Sequence, residues 1–136
     1  MIPPTDLIEC LEGASVGSKA LNMDVVEALG ECAHRETEYY NIQGDSGFDC
    51  TACGKDPHRP GVPPVTTSLD DALALAERVL PGRAVGVSQQ IHHGHWYAWL
   101  TNIGADGDPW NEAGASAAAP ALALVAAILR ASEQSK

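Results

Sequence analysis

Basic residues are scarce in this chain: 8 Lys and Arg stand against 18 Asp and Glu, a formal net charge of −10. A field of that sign repels nucleic acid and anionic membrane surfaces. Long-range attraction to either is disfavoured, and an anionic ligand would need a local basic cluster. Long apolar runs are missing too. No window reaches the roughly 20 residues that span a bilayer, and Met1-Ile2-Pro3-Pro4 has neither the basic start nor the hydrophobic stretch of an export signal. No membrane partner and a cytoplasmic location are expected. Aromatics make up only 5% of the residues while alanine is abundant, which favours closely packed helices over a modest sheet. The 136 residues suffice for one domain, residues 1–136, with a single core.

The four cysteines carry the most specific pattern. Cys50-Thr51-Ala52-Cys53-Gly54 is a knuckle in which two thiols two residues apart face one ion while backbone amides turn in behind them. Cys32-Ala33-His34 offers a second half-site, and His58 could replace His34. Four soft or borderline donors suit zinc, and a complete protein shell makes the ion structural. Three other readings compete: buried free thiols, a redox pair and two disulfides. The redox pair lacks a strand-to-helix setting, and disulfides lack an export signal. The stretch between the half-sites reads as a hairpin, with strand propensity over 36–42 and a turn over 43–47. Residues 31–58 are therefore expected to form an inserted zinc-ribbon-like lobe, too small to hold itself without metal.

The rest of the chain is punctuated by caps and breakers. Thr5 caps a short helix ended by Gly13, and Ser18 caps a second that runs through Leu21, Val25 and Leu29 to Gly30. After the proline-rich linker 56–64, Ser68 opens an amphipathic helix over Leu69, Ala72, Leu73, Ala76, Val79 and Leu80, halted by Pro81-Gly82. Val85, Val87, Gln89 and Ile91 alternate as a strand, His92-His93-Gly94 reverses the chain, and residues 95–101 return. The returning strand has Trp96, Ala98 and Leu100 on one face and His95, Tyr97, Trp99 and Thr101 on the other. Both faces invite helical cover. Residues 108–112 pair briefly, and a last helix begins at Pro120, or at Ser116 if that residue caps it, and stays apolar almost all round to Arg130. The expected class is α+β, a layered α/β/α sandwich with a small antiparallel sheet.

Several of these stretches resemble one family. Asp6-Leu7-Ile8-x-x-Leu11-Glu12 with Gly17-Ser18-x-x-Leu21-Asn22, the run Thr66-Thr67-Ser68-Leu69-Asp70-Asp71-Ala72-Leu73-Ala74-Leu75, the Trp-rich strand and Pro120-Ala121-Leu122-Ala123-Leu124 through Leu129-Arg130-Ala131 are similar to the phage ABA-sandwich proteins, small products of phages and prophages. The resemblance implies helix, sheet and helix layers and a bacterial host cytoplasm. More distantly, size and element order resemble phage sponge proteins that sequester cyclic nucleotide defence signals.

All three tryptophans fall between residues 96 and 110. Trp96, Tyr97, Trp99 and Trp110 read first as core; an exposed one would stack on a base while Arg78, Arg83 or above all Arg130 meets a phosphate. His92, His93 and His95 read as solvated turn residues. No nucleophile motif, phosphate-binding glycine loop or helical carboxylate pair accompanies them, so an enzyme is not expected. The expected function is a non-catalytic accessory protein, homo-oligomeric, that sequesters a small nucleotide-like ligand through Trp96, Trp99, Trp110 and Arg130. The alternative is a zinc-stabilised adaptor that binds a host or phage protein.

Overall fold

A computed structural model describes residues 3–31, 33, 37–51, 62–90, 94–103 and 109–134. The chain is mixed α+β: four helices, a two-stranded sheet and a three-stranded sheet, both antiparallel, among the described residues.

Helix α1 (Pro4–Gly13) starts without the expected threonine cap. Pro3 is the N-cap residue, Pro4 occupies the first turn where a missing N–H does no harm, and Thr5 is already helical. Ser18 does cap α2 (Lys19–Ala28), its hydroxyl accepting the Leu21 N–H at 3.1 Å. Ser68 caps α3 (Leu69–Val79) in the same way, accepting the Asp71 N–H at 3.3 Å.

Strands β1 (Thr37–Ile42) and β2 (Asp45–Cys50) form the expected hairpin with a tighter turn than the sequence suggests. Gln43 and Gly44 alone make the reversal, both at positive φ (52° and 85°), the combination a two-residue hairpin of matching twist requires. At the hairpin's open end Thr37 stands opposite Cys50. The contacts of this hairpin among the described elements are chiefly between its own strands.

Strands β3 (Ala84–Gln90), β4 (His95–Ile103) and β5 (Pro109–Ala117) form a meander in sequence order. β5 is longer than the brief pairing expected for 108–112, and Ser116 lies within it opposite Tyr97, so the last helix, α4 (Pro120–Gln134), begins at Pro120. The register shifts once, between Leu100 and Asn102, where β5 takes one residue more than β4.

The core is built around α4. Residues 121–129 are all buried, as is Ala131. One side of α4 lies on Ala98 and Leu100 of β4 and on Ala113, Ala115 and Ala117 of β5, and alanines on the strands let the helix approach closely. Its remaining surface is covered by Leu7, Ile8 and Leu11 of α1 and by Ala72, Leu75 and Ala76 of α3. Among the described residues α4 is thus the centre of the packing, with the sheet against one side of it and α1 and α3 against the rest, α1 also reaching β5.

A buried polar knot joins α2 to the entry of α3. The Asn22 amide oxygen accepts both the Thr66 N–H (2.9 Å) and the Thr66 hydroxyl, while Thr66 Oγ1 accepts the Ser18 N–H at 3.1 Å. A Cβ at Gly17 would collide with the Thr66 carbonyl, so this close approach needs glycine. Asn22 is 6% and Thr66 1% exposed, and the Asn22 oxygen is the acceptor of the buried Thr66 N–H, while the Thr66 hydroxyl also reaches the Ser18 carbonyl at 3.2 Å. We predict that Asn22→Ala, which leaves the Thr66 N–H without its acceptor, destabilises the body by about 1–3 kcal/mol in urea denaturation with the m-value unchanged.

Candidate ligand-binding face

The meander has two unlike faces. Period-two alternation points Ala98 and Leu100 into the α4 interface, with no exposed surface, and Trp96, on the same side, packs against that core. His95, Tyr97 and Trp99 occupy the opposite face, across which no helix packs among the described elements.

Glycines shape this face. In the β3–β4–β5 register Trp99 is opposite Gly86 on one side and Gly114 on the other. A Cβ at Gly86 would run into Cζ2 and Cε2 of Trp99, and a Cβ at Gly114 into the hydroxyl of Tyr97. The Trp99 indole therefore lies across β3 and the Tyr97 phenol across β5, each ring covering backbone that a glycine leaves bare. The rings stack with centroids 5.9 Å apart and planes 22° from parallel. The result is a half-buried aromatic floor reaching from one edge strand to the other. Around it stand neutral polar groups: Ser88 and Ser116 flank Tyr97 in the register, and Gln90 is opposite the exposed His95.

One carboxylate adjoins the floor. The Tyr97 hydroxyl donates to Glu112 Oε1 at 3.2 Å. The Tyr97 pKa is raised above its ordinary value, first by burial and then by the charge and hydrogen bond of Glu112, with Arg130 pulling the other way.

Arg130 is not free to meet a ligand. Its Nη2 and Nη1 contact Glu12 Oε1 at 2.6 Å and Oε2 at 3.2 Å, and Nη1 also donates to the Gly114 carbonyl at 2.7 Å. This clasp joins α4, α1 and the edge of β5. The other arginines considered from sequence are engaged too. Arg78 makes a two-pronged pair with Glu31 (2.7 and 2.8 Å), whose hydrogen bond is the main cause of its raised pKa, and Arg83 also interacts with another group. A phosphate at any of these three would have to share the guanidinium with the group already engaging it.

Trp110 is on β5 opposite Asn102, away from the Tyr97–Trp99 pair in the register; only its backbone position is described. Of the expected metal ligands, Cys50 ends β2, again described by its backbone alone, while Cys32, His34 and Cys53 lie outside the described residues, as does the alternative His58. His92 and His93 also lie outside them. Among the described residues no group of three or more His, Cys, Asp or Glu side chains is placed to hold a metal ion. No described helix is long and apolar enough to cross a membrane.

Reasoning from sequence put Trp96 and Trp99 on opposite faces of one strand, as found, and weighed Tyr97 beside the tryptophans as a stacking platform, but did not single out Gly86, Gly114 or Glu112. The available signal was a strand carrying aromatics two residues apart, flanked by strands with glycine at their centres. No protein-family model matches the chain, and neither a curated protein nor a solved structure does.

Glu112→Gln removes the charge that helps hold the Tyr97 phenol protonated, so Tyr97 should ionise at lower pH than in the wild type. Because the folded pKa is raised, the phenol's stabilising contribution is complete below the ordinary tyrosine range and is lost as pH rises through the Tyr97 value. Phenolate absorbance, with Tyr97→Phe as the reference, reads the shift; an unchanged titration would mean that Glu112 does not act on Tyr97.

Proposed function

We propose that this protein is a non-catalytic phage or prophage accessory protein that binds and sequesters a small nucleotide-like immune signal in the bacterial host cytoplasm. The observation that carries the reading is the Tyr97–Trp99 floor on an uncovered sheet face, bedded on Gly86 and Gly114. Base–aromatic stacking contributes about 1–3 kcal/mol per base and tolerates many bases, because every base has a flat face. With Arg78, Arg83 and Arg130 engaged, ring stacking and the hydroxyl and amide groups of Ser88, Ser116 and Gln90 carry recognition, and phosphate contacts are secondary. Trp99 is the residue of the expected ligand set best placed for this; Trp96 belongs to the core side. The face that an α/β/α sandwich gives to a second helical layer is, in this reading, the face left to the ligand.

The zinc-ribbon-like lobe over residues 31–58 belongs to the same proposal, with Cys32, His34, Cys50 and Cys53 as a structural tetrahedral set. Its support is the hairpin, whose six-residue strands end with Cys50 opposite Thr37 and so bring the chain segments leading to both half-sites to one end. A second reading, a zinc-stabilised adaptor for a host or phage protein, draws on Tyr39, which is 58% exposed on β1.

Thermal-shift and tryptophan-fluorescence titration against cyclic nucleotides and cyclic ADP-ribose isomers tests the first reading. The wild type should be stabilised by at least one of them, and Trp99→Ala should weaken that binding about tenfold or more. A set in which no nucleotide shifts the melting temperature, with a single protein recovered by pull-down, would favour the adaptor. For the lobe, elemental analysis should return one zinc per chain. Cys50→Ser or Cys53→Ser should disorder residues 32–58 in backbone NMR and leave the body folded; an intact lobe or global unfolding would refute the structural ion.

A further inference from the structure

Glu112 is placed to do more than hold Tyr97. Along β5 the side chains of Ala113, Ala115 and Ala117 are buried in the core with α4, so Glu112, Gly114 and Ser116 fall on the opposite side, that of the aromatic floor. Glu112 thus stands at the β5 margin of the floor, exposed, with the Tyr97 hydroxyl on Oε1 at 3.2 Å. Among the described residues no lysine or arginine pairs with it. A carboxylate has about four lone-pair sites on its two oxygens, and the phenol takes one of them. The others remain for a ligand. Ser88, Ser116 and Gln90 can each donate or accept, whereas a carboxylate only accepts, so Glu112 is the group at this rim that can tell one base from another.

Bases differ in what they offer such an acceptor. The Watson–Crick edge of guanine carries N1–H and the N2 amino group side by side, two parallel donors that fit the two oxygens of one carboxylate as an arginine fork does. Adenine sets its N6 amino group beside the N1 lone pair, cytosine sets N4 beside N3, and uracil holds one N–H between two carbonyls. Each of these turns an acceptor towards the carboxylate and is repelled by it. We infer that the Tyr97–Trp99 floor takes a guanine base, with Glu112 as the specificity-determining residue that accepts from N1–H and the N2 amino group. The inference rests on the nucleotide-binding reading of the floor and narrows it to one base. It also orients the ligand. With the donor edge at Glu112 on β5, the sugar-bearing side of the base points back across the floor towards β3, two strand spacings or about 10 Å away. The phosphate is then directed to the side of Ser88 and Gln90, away from the carboxylate, which in a chain of net charge −10 lessens the nearest repulsion.

The test uses the full chain and saturation-transfer NMR titrations with GMP, IMP, AMP and dGMP, which carry the same phosphate and differ only in base or sugar. The wild type should bind GMP about tenfold more tightly than AMP, with IMP, which lacks the amino group, between them and dGMP close to GMP. In Glu112→Gln the amide offers one donor and one acceptor, which suit adenine as well as guanine, so the preference should fall to within about threefold of parity. Far-UV circular dichroism and the melting temperature establish that the variant folds. A wild type that binds GMP and AMP alike, or a folded Glu112→Gln that keeps the preference, overturns guanine recognition and leaves the floor reading standing. A wild type that binds dGMP as weakly as AMP overturns it too, by assigning the carboxylate to the ribose hydroxyls. Failure of every one of these nucleotides to bind likewise overturns the guanine assignment; the floor reading falls with it only if the cyclic nucleotides also leave the melting temperature unchanged.

Discussion

Complete burial of α4 is the constraint on which the remaining structure depends. A helix with no exposed residue from 121 to 129 cannot lie on a sheet as an ordinary amphipathic helix does, with one side in water. It needs cover all round, and the chain has only a small sheet and three shorter helices to provide it. Close approach reduces the area to be covered. Ala121, Ala123, Ala126 and Ala127 on the helix and Ala113, Ala115 and Ala117 on β5 let backbones come near, while Leu122, Leu124, Ile128 and Leu129 fill what remains. Each fully buried leucine or isoleucine contributes about 1.5–3 kcal/mol. Since α1 and α3 are drawn onto α4, no described helix is left for the far face of the sheet. The open face follows from how the core is built.

Much of this was legible because it is local. Ser18 and Ser68 cap their helices, the alternation over residues 95–101 sorts the side chains to the correct faces, and the apolar run after Pro120 marks the buried helix. β5 was read short for an equally local reason: Ala113-Gly114-Ala115-Ser116-Ala117 has no contrast between large apolar and polar side chains, so period two leaves no trace in it. The layer order is not legible in α4, because a helix apolar all round announces burial without saying what buries it. Thr5 lost the capping role to Pro3 and Pro4, whose fixed φ already suits a helix start.

Long-range pairing was the part sequence could not show. Gly17, Ser18 and Asn22 lie in one quoted stretch and Thr66 in another, and nothing in either says that the Thr66 backbone rests on Gly17 or that Asn22 completes its hydrogen bonds. The same holds at the site. Tyr97 and Trp99 are visible as aromatics on one face, but their flat arrangement depends on Gly86 and Gly114, which come opposite them only once the register is known. Arg130 stood out as a basic residue at the end of an apolar helix; that Glu12, far back in the chain, would claim it depends on α1 docking beside β5.

Electrostatics joins these features to the kind of ligand the face suits. In a chain of net charge −10, an arginine left pointing at solvent would be the natural anchor for a phosphate. Here two arginines hold elements together, Arg78 fixing the exit of α2 to α3 and Arg130 tying α1 and α4 to β5. Both pairs are partly solvated, so each contributes modestly to stability, but each keeps its guanidinium engaged. Attraction from these two arginines at a distance is therefore weak, and the ligand capture proposed above would rely on forces that act only on contact: dispersion over flat rings and short hydrogen bonds at their rim. A face of that kind discriminates by shape and planarity more than by charge. It would hold a ring system that carries little negative charge near its bases, or one whose phosphates reach past the floor into water.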